Sequence, residues 1–484
     1  MHMMGLLVLA AAVTLSPQGE KDMTDALKGA VRSNVVIKLA EGTYHFFDTS
    51  ATKDVFYVSN HDQPNPRTVQ LPLTNVTNLT IKGEGKGAKF MFHGESMGIL
   101  VRDTEKVQLE NISLDWAEPT VSEFRVGTGW MVKGCYGEAP IRMVWDGATK
   151  SIKPGTGDAF NESKAVEGDT ISYRSGARPE PAICLYRASK TVLKNIVIHS
   201  AHGMGLLGQR SKDVAILGGG VYPREGSVCS TTADATHFSN CRGKIVCKGA
   251  RFAGMMDDAI NVHSTCLRIE EKLADNKIRC RYMHGQSIGF EVFAKGEKLR
   301  FIRAETLENG PEVRVVAVEM PDPRTAIITL KDGAALKEYA VGDAVENADW
   351  QPSVVFSGNW VGRNRARGTL FTTPKPVLIE NNTFDHVSGT AILLAGDASG
   401  WFESGACRDV TIQNNRFIDC LTSSYQFCTA VITAYPMVRN LKEQKRPYHG
   451  NITVKNNEFR CPGAKLQSWI STENVVWREN KEMK

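Results

Sequence analysis

Three aspartates in the middle of the chain have the residue type and the spacing for acid–base chemistry. Asp257 and Asp258 are neighbours, and Asp234 lies 24 residues before Asp258. Three carboxyls a few ångströms apart repel one another, so at least one of them should hold its proton near neutral pH. That group could protonate a leaving oxygen while its ionised partners position and deprotonate a water.

The same cluster has structural interpretations, because aspartates also cap backbone amides at turns and bind Ca²⁺. Alternation along a strand would put Asp257, Asn261 and His263 on one face and Asp258 on the other. Both acids can reach one cleft only if the chain turns or bulges near Asp258. The pattern alone leaves catalysis, turn capping and Ca²⁺ binding open.

An internal repeat indicates the elements that would hold these residues. Its pattern, apolar-x-apolar-x-Asn-Asn-x-Phe, occurs at 377–384, 410–417 and 452–459, with looser copies at 107–114, 193–198, 214–221 and 245–252. The alternation predicts short strands with one buried face. The asparagines can turn the chain at positive φ, and stacked copies can form a hydrogen-bonded ladder. These features predict an all-β protein, a right-handed parallel β-helix with rungs about 4.8 Å apart.

The repeat also predicts which candidate residues stack. Alignment on Phe252 and Phe384 superimposes 258–262 on 390–394, and 234–238 fits the same frame. Asp234 and Asp258 should therefore lie on neighbouring rungs. An inverting glycosidase separates its acid and base carboxyls by about 6.5–9.5 Å, a gap that one rung and a side-chain offset could supply.

Two long gaps in the repeat contain alternating segments and turns, which predict small antiparallel β-barrels inserted in the solenoid. The expected divisions are a signal peptide at 1–16, β-helix at 17–117, 183–264 and 353–484, and barrels at 118–182 and 265–352.

Composition limits the classes of function. Among 484 residues, 58 Lys and Arg face 53 Asp and Glu, a net charge of +5 that argues against a nucleic-acid binder. The 11 cysteines show no CxxC spacing, which argues against a zinc site or a dense disulfide frame. The apolar run at 5–15 is too short to span a membrane and suits a signal peptide, so we expect export.

The stretch from Ala233 through Thr265, with 237–243 reading HFSNCRG and 256–263 reading MDDAINVH, resembles glycoside hydrolase family 110. These are exported bacterial exo-acting α-1,3-galactosidases that remove terminal galactose from blood group B type glycans. The resemblance implies an inverting hydrolysis that needs no metal or cofactor. It also implies that Asp257 is the general acid and that Asp234 and Asp258 activate water.

Several other residues are candidates for binding a galactose-terminated oligosaccharide or glycoprotein glycan. His237, Asn261 and His263 could bind sugar hydroxyls, although a β-helix histidine can equally satisfy a neighbouring carbonyl. Trp401, on the glycine-rich loop at 396–403, could stack on the apolar face of galactose. Glu403 could bind hydroxyls or remain solvated, and the projecting barrels could build a homodimer.

Two alternative functions stay open. A polygalacturonase-like pectin hydrolase also uses a β-helix and clustered aspartates, but its acidic substrate demands basic residues downstream of the acids. Here Arg268 is followed by the acidic residues Glu270 and Glu271, which weakens the interpretation as a pectin hydrolase. The other alternative is a non-catalytic carbohydrate-binding β-helix with a structural aspartate cluster.

Overall fold

A computed structural model of the chain describes residues 11–134, 141–154, 164–423, 425 and 427–483. The first part of the solenoid contains β1 (Ala11–Leu15), β2 (Val35–Leu39), β3 (Gly42–Phe47), β4 (Thr52–Asp54), β5 (Arg67–Thr74), β6 (Thr77–Gly83), β7 (Ala88–His93) and β8 (Met97–Trp116). The first insertion contains β9 (Ser122–Arg125), β10 (Met131–Val132), β11 (Ile141–Trp145) and β12 (Thr170–Arg174). The central solenoid contains β13 (Ile183–Ile198), β14 (Leu206–Gln209), β15 (Lys212–Leu217), β16 (Gly220–Val221), β17 (Thr236–Ser239), β18 (Arg242–Lys248), β19 (Arg251–Ala253) and β20 (Ile260–Thr265).

The second insertion contains β21 (Leu267–Ala274), β22 (Lys277–Arg281), β23 (Lys298–Ile302), β24 (Asn309–Asp322), β25 (Thr325–Leu330) and β26 (Ala344–Asn347). The last solenoid part begins with β27 (Ser353–Ser357), β28 (Trp360–Asn364), β29 (Thr369–Phe371), β30 (Val377–Glu380), β31 (Thr383–Val387), β32 (Ile392–Leu394), β33 (Glu403–Ser404) and β34 (Val410–Gln413). It ends with β35 (Arg416–Ile418), β36 (Ile432–Ala434), β37 (His449–Lys455), β38 (Glu458–Arg460), β39 (Gln467–Trp469), β40 (Thr472–Arg478) and β41 (Lys481–Glu482). The described helical segments include α1 (Thr24–Ala30) and the 3-10 turns Asp48–Ser50 and Ala335–Glu338.

The solenoid is one 31-stranded sheet in which strands of successive rungs pair in parallel, as β30, β34 and β37 do. Alternate side chains point inward, so that β2 buries Val35, Ile37 and Leu39 completely. This inward row is the solenoid core. The predicted parallel β-helix is confirmed.

The asparagine ladder is also confirmed. Asn382 Nδ2 donates to Asn415 Oδ1 at 2.9 Å, and Asn415 Nδ2 donates to Asn457 Oδ1 at 3.0 Å. The preceding asparagines, Asn381 and Asn414, both have a φ of 56°. In each Asn-Asn pair the first asparagine therefore turns the chain, and the second forms the hydrogen bonds between rungs.

The insertions lie where the repeat is interrupted. In the first, the described strands form an antiparallel sheet of order β10-β9-β12-β11. In the second, β21 to β26 form a closed six-stranded barrel with its own apolar core, including Leu299 and Phe301. Both insertions leave the solenoid beside the aspartate cluster.

At the N-terminus, β1 covers 11–15 and pairs in parallel with β2. The rest of the predicted signal peptide at 1–10 lies outside the described residues. Among the described residues, the structure contains no helix with the length and apolar character needed to cross a membrane. All ten described cysteines are free, and nine are buried.

Candidate active site

Register between β17 and β20 brings the three aspartates together. His237 pairs with Asn261, while Phe238 and Val262 fill the core behind them. The N–H of Ala235 donates to the Asp258 carbonyl oxygen at 2.8 Å, which extends the pairing back to the aspartates. The predicted stacking of Asp234 on Asp258 is therefore confirmed.

Strand alternation does not separate Asp257 from Asp258, because β20 begins only at Ile260. Asp257 and Asp258 lie in the preceding bend, where side chains need not alternate between faces. One carboxylate oxygen from each of Asp234, Asp257 and Asp258 lies within 4.8 Å of the others. All three are buried, and Asp258 is completely inaccessible.

Two arginines that the sequence analysis missed neutralise this cluster. Arg367 Nη2 donates to Asp258 Oδ2 at 3.0 Å and lies 3.4 Å from Asp257 Oδ1. Arg367 Nε lies 2.9 Å from Asp258 Oδ1, an ion pair without hydrogen-bond geometry. Arg178 Nη2 lies 3.4 Å from Asp257 Oδ2. These guanidinium groups are engaged by the acids, so they do not form the free carboxylate-binding cluster that a pectin hydrolase requires.

A signal for Arg367 was present in the repeat. Ile260 pairs with Thr369, and Thr369 pairs with Ile392, so the rung at 367–371 lies between the two rungs that the alignment superimposed. Arg367 occupies the position of Asp258 on that rung. No comparable signal marks Arg178, which lies in the segment at 175–182 that leads out of the first insertion.

The acids differ in protonation. Burial, reinforced by Asp257, raises the pKa of Asp234 to about 8. Burial also raises the pKa of Asp258, and Arg367 offsets this only in part. For Asp257 burial acts in the same direction, but Arg367 and Arg178 outweigh it and hold its pKa at about 2. In the unliganded site Asp234 is therefore the acid that keeps its proton, and Asp257 is the one that carries a negative charge.

The two histidines are engaged by protein atoms. His237 Nδ1 lies 2.6 Å from Asp234 Oδ2, and its Nε2 lies 2.7 Å from His263 Nε2. His263 Nδ1 lies 2.9 Å from the carbonyl oxygen of Ser264. Both ring nitrogens of His263 thus face protein atoms, and the residue is not among those that line the cleft. His237 does line the cleft, but both of its ring nitrogens already have protein partners, so neither is free to bind a sugar hydroxyl.

Glu403 is anchored at the cleft instead of remaining solvated. Its Oε1 accepts a hydrogen bond from Asn60 Nδ2 at 2.9 Å, and its Oε2 lies 3.4 Å from Asn261 Nδ2. Asn60, in the loop between β4 and β5, was not among the sequence candidates. Asn261 and Glu403 both line the cleft, so both remain candidates for binding hydroxyls.

Asp234 and Asp257 lie at one side of a cleft. Trp401 forms part of its wall, as Tyr435 and Phe427 do. The Trp401 ring stacks on His284, from the loop between β22 and β23 of the barrel, with centroids 3.8 Å apart. The second insertion therefore supports the aromatic wall, and a sugar must use the remaining surface of the Trp401 ring.

In the part of the chain that the structure describes, two groups of side chains bring possible metal ligands within 4.8 Å of one another, namely the aspartate cluster and the group of His237, His263 and Glu403. Two imidazole nitrogens on a tetrahedral Zn²⁺ would stand about 3.3 Å apart, since each Zn–N bond is about 2.0–2.1 Å. The histidine nitrogens are at 2.7 Å, a hydrogen-bond distance. The aspartates already face two guanidinium groups, which take the place of a cation. Neither group fits a bound metal in this arrangement.

Comparison with known proteins places residues 277–345 in the family model GLAA-B beta-barrel domain II. The chain is 40% identical to alpha-1,3-galactosidase B of Akkermansia muciniphila, in an alignment covering 99% of this chain and 66% of that protein. It is 37% identical to alpha-1,3-galactosidase B of Bacteroides fragilis, covering 92% of this chain and 84% of that protein. The A-module of a mannuronan C-5 epimerase from Azotobacter vinelandii is 10% identical, covering 96% of this chain and 95% of that module with a TM-score of 0.41.

Proposed function

The chain belongs to the α-1,3-galactosidases of glycoside hydrolase family 110, and from this premise we propose that it removes terminal α-1,3-linked galactose from glycans. The observation that carries the proposal is the cluster of three aspartates at a cleft with an aromatic wall. Such a site can protonate a glycosidic oxygen and activate water while an aromatic ring holds the sugar. A galactose-terminated oligosaccharide or glycoprotein glycan is the proposed substrate.

In the proposed mechanism Asp257 is the general acid, and Asp234 and Asp258 activate water. Asp234 and Asp257 line the cleft, whereas Asp258 lies behind them against Arg367. Asp257 needs a proton before it can act, yet its pKa in the unliganded site is about 2. A bound sugar that excludes water and draws Arg178 away from Asp257 would raise this pKa, because both changes disfavour the carboxylate.

We propose an inverting reaction. One oxygen of each carboxyl lies within 4.8 Å of the others, and this contact by itself does not select between the inverting separation of about 6.5–9.5 Å and a retaining one. Hydrogen bonding favours inversion. Asp234 Oδ1 accepts from the Asp258 N–H at 3.2 Å and its Oδ2 contacts His237, while Asp258 is held by Arg367. Carboxyls tied in this way are suited to holding water more than to forming a bond to the anomeric carbon.

The anomer that is released first tests this stereochemistry. Proton NMR of the early reaction with a blood group B trisaccharide should show β-galactose before mutarotation. Initial α-galactose would overturn the inverting mechanism, and no galactose release at all would overturn the proposed activity.

The roles of the acids are tested by changing the leaving group. An aryl α-galactoside with an acidic phenol needs little protonation, so Asp257→Asn should lose activity by several powers of ten on the disaccharide and far less on the aryl substrate. Asp234→Asn should lose activity on both. Asp213→Asn, at a partly exposed position on the solenoid far from the cleft lining, is the matched control and should resemble the wild type. The opposite pattern would exchange the roles of Asp257 and Asp234.

Export and self-association are further proposals. The apolar run at 5–15 supports a signal peptide, and cleavage after residue 16 would remove β1 from the solenoid. N-terminal sequencing of protein recovered from the periplasm or medium tests this directly. A homodimer formed through the projecting insertions is tested by light scattering, and a monomer at all concentrations would contradict it.

A further inference from the structure

Two buried histidines connect Asp234 to a backbone carbonyl on the side away from the cleft. We call His237 and His263 the histidine chain, and each is only 1% exposed. Its contacts run from Asp234 Oδ2 to His237 at 2.6 Å, from His237 to His263 at 2.7 Å, and from His263 to the Ser264 carbonyl at 2.9 Å. Every link has hydrogen-bond length, so each link must contain one proton.

The chemistry of the end group fixes where those protons are. A carbonyl oxygen only accepts, so His263 carries its proton on Nδ1. An imidazole with its one proton on Nδ1 has a lone pair at Nε2, so His237 donates to His263 from its own Nε2 at 2.7 Å. His263 Nε2 also lies 3.5 Å from Glu403 Oε1, which is too long to compete with the contact at 2.7 Å.

The contact between Asp234 and His237 determines whether Asp234 is protonated. Burial, followed by the neighbouring His263, lowers the pKa of His237 well below its usual range, so His237 is neutral. With its one proton on Nε2, it presents a lone pair at Nδ1. Asp234 must therefore supply the proton of the 2.6 Å link.

On the basis of the proposed hydrolysis, we propose that the histidine chain is a positioning device that fixes the Asp234 proton on Oδ2. Asp234 Oδ1 then keeps its lone pairs and can hold the attacking water by accepting a hydrogen bond from it. Asp234 is neutral beside ionised Asp257, so the two acids together carry one negative charge instead of two.

The test compares two substitutions at the end of the chain. His263→Met removes the acceptor for His237, which should then carry its proton on Nδ1 and donate it to Asp234. Asp234 would ionise more easily, so the alkaline limb of the kcat/KM profile should move down by about one pH unit or more. His263→Gln supplies a carbonyl acceptor and should keep the limb near that of the wild type.

Other charged groups face Asp234, and they remain in both variants: Asp257, Asp258, Glu403, Arg178 and Arg367, with His61 beside His237. Their effects therefore cancel in the comparison of His263→Met with His263→Gln. If the alkaline limb of the kcat/KM profile lies at the same pH in both variants, whether or not that pH differs from the wild type, the proposal is overturned. Circular dichroism establishes that each variant is folded.

A measurement on the wild type separates this inference from the proposed function. NMR of protein with nitrogen-15 in the histidine rings should show His263 protonated on Nδ1 and His237 protonated on Nε2. The tautomers are read without substrate, so this result stands even if no galactoside is cleaved. A His263 protonated on Nε2 would overturn the histidine chain, whereas an inactive wild type would overturn only the hydrolysis.

Discussion

Replacing Asp234 with asparagine should stabilise the protein and should do so increasingly as pH rises. The pKa of Asp234 is about 8 in the folded protein, against 3.8 for an unperturbed aspartate. The folded state therefore holds a proton that the unfolded chain has already lost, and wild-type stability falls as pH rises from about 4 to 8. An asparagine is neutral throughout. Its amide can donate to His237 Nδ1 as the protonated carboxyl does, so the substitution removes this loss.

The size of the effect follows from the pKa difference. Each pH unit between the two pKa values changes the free energy of unfolding by about 1.4 kcal/mol. Between pH 5 and pH 8 the stability of Asp234→Asn should thus gain up to about 4 kcal/mol relative to the wild type. Groups that titrate identically in both proteins cancel in this difference.

Asp257→Asn is the matched control, with the same chemical change and the opposite sign. The pKa of Asp257 is lowered to about 2, so its carboxylate contributes stability that is complete above about pH 4 and is lost as pH falls through 2. Between pH 5 and pH 8 this substitution should cost a constant amount of about 2 kcal/mol.

Urea denaturation at pH 5, 6.5 and 8, followed by tryptophan fluorescence, measures both variants against the wild type. If the stability difference for Asp234→Asn does not grow with pH, the assignment of a proton to Asp234 is refuted. A stabilising Asp257→Asn would refute the assignment of the negative charge to Asp257.

Two other sites give predictions with matched controls. Arg367→Met leaves buried Asp258 without its guanidinium partner and should lower the free energy of unfolding by about 3–5 kcal/mol. Arg416→Met, in an exposed pair, should cost less than about 1 kcal/mol, and equal losses in urea denaturation would contradict the buried role. Trp401→Ala should raise KM for the galactoside about tenfold through lost stacking on the sugar. Trp360→Ala, which does not line the cleft, should leave KM unchanged, and an unchanged KM in both variants would remove Trp401 from the binding site.

The solenoid was predictable because its signals are local and repeated. The Asn-Asn-x-Phe pattern encodes a turn, a ladder and a core residue in a few positions, and the structure repeats them at Asn382, Asn415 and Asn457. The stacking of Asp234 on Asp258 followed from the same frame. Periodic patterns of this kind survive tertiary packing because every rung has the same neighbours.

The environment of the acids was less predictable because it comes from non-repeating segments. Arg178 enters from the exit of the first insertion, Asn60 from a loop and His284 from the barrel. The alternation rule placed Asp257 and Asp258 on opposite faces because it assumed that the strand began before Ile260. The partners of His263 were equally hidden, because a histidine in a sequence pattern does not reveal that both of its ring nitrogens face protein atoms.

The closed barrel has a consequence for how the chain folds. Solenoid strands β18 and β27 pair through Lys244 and Ser353, which are far apart in sequence, and ordering such a long loop costs entropy before any contact forms. The first and last strands of the barrel pair with each other, Leu267 with Val345, so a folded barrel holds its two ends together. Once the barrel has formed, the solenoid only has to close a short connection. The insertion thus allows the β-helix to continue almost as if the chain had not been interrupted, and formation of the barrel should precede the joining of the two rungs that carry Asp258 and Arg367.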